Sequence, residues 1–161
     1  MTDRINVHAT GLVLGRTGIV LRGPSGSGKS FLALMLLDRW ESHGLGAKLV
    51  ADDRLDLEAT GKGIVMHAPA AIAGLIELRG RGIVTRPHVA KASLHLVVDL
   101  VPRLERMVEE QELVVDLMGV SVPRCPVPKA GITVPEHQLL LVLEAIRALS
   151  PNRSAARQKI T

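Results

Sequence analysis

Gly23-Pro24-Ser25-Gly26-Ser27-Gly28-Lys29-Ser30 fits the pattern G-x-x-x-x-G-K-[ST] at every defined position. Before it, Gly18-Ile19-Val20-Leu21 reads as an entering strand; after it, Phe31-Leu32-Ala33-Leu34-Met35-Leu36-Leu37 reads as a departing helix. Glycines at this spacing let the backbone curl until successive N–H groups point inward, where phosphate oxygens can meet them. The partial positive charge of the following helix N-terminus adds to the attraction. In this pattern Lys29 reaches the β- and γ-phosphates and the Ser30 hydroxyl sits on Mg²⁺. A chance Gly/Ser turn before a buried helix would supply the loop without the context. Strand, loop and helix together imply a site for a nucleoside triphosphate or a close relative.

The composition narrows the rest. At 161 residues and 47% hydrophobic content, one globular domain with a sizeable core is expected. That core must be aliphatic, because Phe31 and Trp40 are the only aromatics. So few rings argue against single-stranded nucleic-acid binding, which depends on stacking platforms. Cys125 is the only cysteine, which excludes an intramolecular disulfide and a cysteine metal cluster and suits a reducing cytoplasm. No apolar run is long enough for a membrane span, so no membrane partner is expected. Of the net charge of +4, three charges are Arg153, Arg157 and Lys159, in a stretch with no acid after Glu144. Residues 1–150 are therefore nearly neutral and form the expected catalytic domain, and residues 151–161 form a basic tail expected to be disordered.

Read in order, Ile5-Asn6-Val7-His8 alternates as a strand does, and two further strands flank a hairpin at Gly15-Arg16-Thr17-Gly18. A helix over 29–42 is apolar on several faces, so it should be buried, and Gly44 and Gly46 should end it. Lys48-Leu49-Val50-Ala51 then runs into Asp52-Asp53, and an apolar strand ending in acid brings a carboxylate to Mg²⁺ and the γ-phosphate. Leu75-Ile76-Glu77-Leu78-Arg79-Gly80-Arg81-Gly82-Ile83-Val84 carries three charges between apolar runs, as a functional segment or a charged surface loop would. Strands are expected over 94–100, 113–117 and 120–122, with a polar connection or short helix over 102–112. Residues 123–135 hold four of the nine prolines and are expected to form a rigid extended loop, not a regular element. A last helix starts at Pro135-Glu136, with Leu139, Val142, Leu143, Ile146 and Leu149 on one stripe.

Four elements in this order resemble the catalytic domain of HPr kinase/phosphorylase, which acts on a serine of the phosphocarrier protein HPr. They are His8-Ala9-Thr10-Gly11, the glycine-rich loop, Leu49-Val50-Ala51-Asp52-Asp53, and the Glu77 to Val84 segment, which is similar to the family's E-I-R-G-L-G-I-I. The resemblance covers residues 6–149. It implies an α/β fold, a single P-loop kinase domain related to phosphoenolpyruvate carboxykinase, with a mixed β-sheet around a central P-loop helix. It implies ATP as donor, Mg²⁺ as cofactor, HPr as protein partner and a homohexamer. Residue by residue, Asp53 matches the general base, Ser30 and Glu77 match the Mg²⁺ ligands with Asp52 as metal-side helper, and Lys29 stabilises the transferring group. His8 matches the active-site histidine and Arg106 the catalytic arginine. The family's N-terminal domain is expected to be missing, as in the short forms of some proteobacteria. The family's P-V-R-P-G-R-N loop appears here as Pro126-Val127-Pro128-Lys129-Ala130-Gly131, so kinase activity is the expected direction, ahead of phosphorolytic removal of the phosphate.

Two other readings compete. A small-metabolite kinase would need a basic substrate pocket, for which Arg79, Arg81 and Arg86 are the candidates. A nucleotide-sensing module without turnover would more often lose one of Lys29, Ser30, Asp53 and Glu77, all of which stand intact.

Overall fold

Two adjacent strands and a tight turn begin the main sheet. In the computed structural model, which describes residues 3–149, β2 (Ala9–Leu14) and β3 (Thr17–Arg22) pair antiparallel from Leu14↔Thr17 to Ala9↔Arg22. Gly15 takes φ 63° in the turn between them, a conformation glycine adopts without a Cβ penalty. α1 (Lys29–Ser42) follows β3 directly after the glycine-rich loop. Its end is a Schellman motif, with Leu45 N–H donating to Trp40 O at 3.0 Å and Gly44 N–H to Glu41 O at 2.9 Å.

The chain then lays down β4 (Ala47–Ala51), β5 (Leu55–Thr60) and β6 (Gly63–His67), with β1 (Asp3–Val7) preceding all of them. β7 (Leu75–Leu78) and β8 (Gly82–Thr85) form a separate hairpin from the Glu77 segment. β9 (Lys91–Ser93), β10 (Leu96–Val101), β11 (Val114–Leu117), β12 (Val120–Pro128) and α2 (Pro135–Arg147) complete the order. The mixed six-stranded sheet runs β11-β12-β10-β3-β2-β4, with β10 parallel to both β3 and β12. A four-stranded antiparallel sheet, β1-β5-β6-β9, stands apart from it.

Side-chain alternation assigns the layers. Leu12, Ile19 and Leu21 from one face of the large sheet share a core with Leu32, Leu36 and Trp40 of α1 and with Val142 and Ile146 of α2. Val20 and Val97 from the other face pack with Leu55, Leu57 and Met66 of the small sheet. The helices therefore cover one face and the second sheet covers the other. α1 is apolar on several sides because the large sheet, α2 and Ile76 of the β7–β8 hairpin all meet it. Gly18 marks a close approach of the two sheets, since a Cβ there would lie 1.7 Å from the Ser93 carbonyl oxygen.

Residues 123–128 correct one expectation: they are strand, as part of β12. The prolines fit because the strand changes neighbours along its length, pairing β11 up to Pro123 and β10 from Arg124 onward. Spacing by two turns Pro126 and Pro128 to the same edge, so their missing N–H groups fall on the side away from β10. There the Pro128 carbonyl accepts a hydrogen bond from buried Gln138 of α2 at 2.8 Å. The proposed tail, 151–161, lies outside the described residues.

Candidate active site

Strand register brings the acidic pair to the glycine-rich loop. β2 and β4 pair Gly11 with Ala51, so one step further Thr10 stands opposite Asp52. Thr10 Oγ1 donates to Asp52 Oδ1 at 2.9 Å, and the Asp53 N–H donates to Thr10 Oγ1 at 3.2 Å. From the first turn of α1, Ser30 Oγ reaches Asp52 Oδ1 and Oδ2 at 2.8 and 2.9 Å. The Glu77 backbone N–H adds a third donor, to Asp52 Oδ2 at 3.3 Å. Asp52 is thus the hub that joins β2, α1 and the β7–β8 hairpin.

The neighbouring acid is placed differently. Asp53 is exposed and takes φ 63°, within a tight turn closed by Arg54 N–H to Asp52 O at 2.8 Å. A left-handed conformation is uncommon outside glycine, and such strain costs about 1–3 kcal/mol when the surroundings impose it. Its carboxylate makes no hydrogen bond to another described residue and lines a cavity of about 520 Å³. Gly26, Lys29, Ser30, Asp52 and Glu77 line the same cavity.

The loop has the form of an anion cradle. Gly26 and Gly28 take φ 81° and 94°, and a Cβ on Gly26 would meet nothing within 4 Å, so that side is open. Gly28 is required twice, by its φ and because a Cβ would sit 2.9 Å from that of Ala130. α1 begins with no side-chain cap and no acid in its first turn, leaving its first N–H groups to an external acceptor. Lys29 is buried, with Nζ donating to Gly23 O at 2.9 Å and Pro24 O at 3.3 Å, which keeps its charge inside the loop.

Not every expected residue reaches the cavity. His8 is exposed at the bend between β1 and β2, just beyond the pair Val7↔Leu55, and does not line it. Arg106 is exposed in the connection after β10 and also lies outside the lining. Arg79 lines the cavity, whereas Arg86 turns away to Asp38 at 3.3 Å. Two residues escaped the sequence reading: Thr10, whose partners lie 42 and 43 positions away, and Phe31, half-exposed on the cavity wall. Cys125 is buried, which pushes its thiol up to about 12 and leaves it unreactive.

Ser30 and Asp52 offer a hydroxyl and a carboxylate side by side, the hard oxygen donors that Mg²⁺ takes together with substrate phosphates. Among the described residues no group of three or more His, Cys, Asp or Glu could hold a metal by itself. A shared site of protein oxygens and phosphate fits these residues, and a closed protein cage does not.

The model for the HPr serine kinase C-terminal domain matches residues 1–150. The chain belongs to this family. Among curated relatives, HPr kinase/phosphorylase of Streptococcus thermophilus is 34% identical over 151 residues, covering 83% of this chain and 46% of its own length. That of Clostridium acetobutylicum is 30% identical over 155 residues, covering 92% of this chain and 49% of its own. The chain therefore spans about half the length of the curated relatives it matches. The structure of the HPr(Ser) kinase/phosphatase from Coxiella burnetii superposes with a TM-score of 0.69 at 27% identity, over 87% of this chain and 89% of that one. No helix among the described residues is long and apolar enough to cross a membrane.

Proposed function

We propose that this chain is a protein serine kinase that transfers the γ-phosphoryl group of ATP, with Mg²⁺, to a serine of HPr in the cytoplasm. The family supports the substrate. The observation that carries the chemistry is the Ser30–Asp52 contact beside the open loop, with the Asp53 carboxylate, bonded to no other described residue, on the same cavity. In this reading residues 1–150 are a P-loop catalytic domain related to phosphoenolpyruvate carboxykinase. Loop residues Gly23, Pro24, Ser25, Gly26, Ser27, Gly28, Lys29 and Ser30 hold the phosphates, and Lys29 stabilises charge on the group in transit.

Asp53 takes the proton from the serine hydroxyl as that oxygen attacks the γ-phosphorus. The bond to the β-phosphate oxygen breaks and ADP leaves. Ser30, Asp52 and Glu77 are the oxygen ligands for Mg²⁺, which supplies charge neutralisation on the phosphates when bound. His8, at the bend just beyond the Val7↔Leu55 pair, and Arg106 are assigned to contacts made when HPr is seated. A homohexamer is the proposed assembly.

Mass spectrometry of HPr after incubation with the chain and Mg-ATP tests this reading, with Asp53→Asn as the control. Phosphate on an HPr serine is expected with the native chain, and at least about 10²-fold less of it with Asp53→Asn at similar ATP affinity. ATP bound or hydrolysed with HPr unmodified would overturn it, and would favour a small-molecule acceptor or a sensing role. Addition of inorganic phosphate to phosphorylated HPr then reads out the reverse reaction.

A further inference from the structure

We propose that Thr10 is the positioning residue of this site, fixing the Asp52 carboxylate and the strained Asp53 backbone through one hydroxyl. It is fully buried on β2, and its single O–H is committed in both senses. It donates to Asp52 Oδ1 at 2.9 Å and accepts from the Asp53 N–H at 3.2 Å. Among the described side chains it alone bonds to both acidic residues.

The geometry assigns two consequences to that hydroxyl. Asp52 Oδ1 also receives Ser30 Oγ at 2.8 Å, so Thr10 sets the angle at which the carboxylate meets the first turn of α1. Asp53 has φ 63° and no side-chain bond to another described residue, so its backbone is what aims its Cβ toward the cavity. The Thr10 acceptor is the tertiary hydrogen bond that holds that backbone N–H. Threonine suits this position because its branched Cβ has few rotamers in a strand, and the neighbouring Gly11 packs against Leu55. A site that needs its base within a fraction of an ångström can lose about 10²-fold from a small misplacement.

The catalytic half of this inference rests on Asp53 acting as the base. Thr10→Val keeps shape and removes the hydroxyl; Thr10→Ser keeps the hydroxyl and removes the methyl. Thr10→Val is expected to lower kcat for HPr phosphorylation about 10- to 100-fold while the ATP dissociation constant stays within about threefold. Thr10→Ser should return kcat to within about threefold of native. An unchanged kcat in Thr10→Val, a parallel loss of ATP affinity, or a Thr10→Ser variant as poor as Thr10→Val would overturn the proposal.

Hydrogen exchange at the Asp53 amide gives a readout that needs no HPr. It should rise about tenfold or more in Thr10→Val relative to amides of β3, and an unchanged rate would overturn the hydroxyl's hold on the turn. If native chain leaves HPr unmodified, the kinase reading fails while this exchange measurement still decides the role of Thr10. Should Thr10→Val fail to fold, Thr10→Ala carries the same two measurements.

Discussion

Asp52 and Asp99 stand near the same end of the large sheet, on opposite faces, and their partners differ in kind. Asp99 lies beside Arg22 in the β3–β10 register, with Arg22 Nε and Nη2 donating at 2.7 and 2.9 Å and Arg124 Nε at 2.6 Å. Burial pushes its carboxyl up, but the hydrogen bonds and charges of the two guanidinium groups outweigh burial and hold it below the usual carboxylate range. Asp52 receives only neutral donors: two hydroxyls and a backbone N–H. No salt bridge to Asp52 forms among the described residues, and the nearby Lys29 ammonium is turned onto backbone carbonyls. A carboxylate already neutralised by two arginines has nothing left to offer a cation. One met by hydroxyls and a backbone N–H, with no cation bonded to it among the described residues, is the one to which the proposed function gives an incoming ion.

The largest effect that could break this contrast is on turnover. Asp52→Asn should lower kcat for HPr phosphorylation about 10²- to 10³-fold while unfolding free energy falls by only about 1–2 kcal/mol, since the amide oxygen can still accept from the hydroxyl donors that met the carboxylate. Asp99→Asn should do the reverse. Leaving two guanidinium groups facing a neutral amide should cost about 2 kcal/mol in denaturant unfolding, below the range for a fully buried pair, with kcat of the folded fraction within about twofold. Comparable losses of turnover in both variants would erase the distinction.

Much of the Asp52 side of this comparison was legible in the sequence, and almost none of the Asp99 side was. The loop at 23–30, the helix over 29–42 and the acids at 52–53 are local signals, each read from a strand, its neighbour and a spacing. Arg22 and Asp99 are 77 positions apart, and Thr10 is 42 from Asp52; only the sheet register brings them together. The second part of β12, residues 123–128, was hidden for a different reason. Proline density is a sound argument against a central strand, and it fails here because each half of β12 has a ladder on one side only. His8 and Arg106 came from family resemblance, and neither reaches the cavity wall.

A smaller effect lies in the acid limb of stability. Because the Asp99 carboxyl ionises lower in the folded chain than in the unfolded one, its contribution is complete above the unfolded value near about 3.9 and disappears as pH falls through the folded value. The gap in unfolding free energy between native and Asp99→Asn should therefore hold steady above about pH 5 and narrow below about pH 4. A gap that stays constant to the acid end would show that Asp99 packs rather than pairs.

The smallest expected effect concerns the cavity wall that the two acids do not supply. Phe31 is 50% exposed in the first turn of α1 and lines the same cavity as Asp52, whereas the other aromatic, Trp40, is 1% exposed in the core. An exposed ring next to the glycine-rich loop would give a nucleoside a face to stack on without hydrogen-bond readout, worth about 1–3 kcal/mol per base. Phe31→Ala should weaken ATP about tenfold by calorimetry, and GTP to a similar extent, because every base has a face to stack. Inorganic tripolyphosphate, which has no base, should bind both forms within about twofold. Equal loss for tripolyphosphate would mean that the ring supports the loop itself. A raised KM for HPr with nucleotide binding intact would move Phe31 from the donor side of the cavity to the acceptor side.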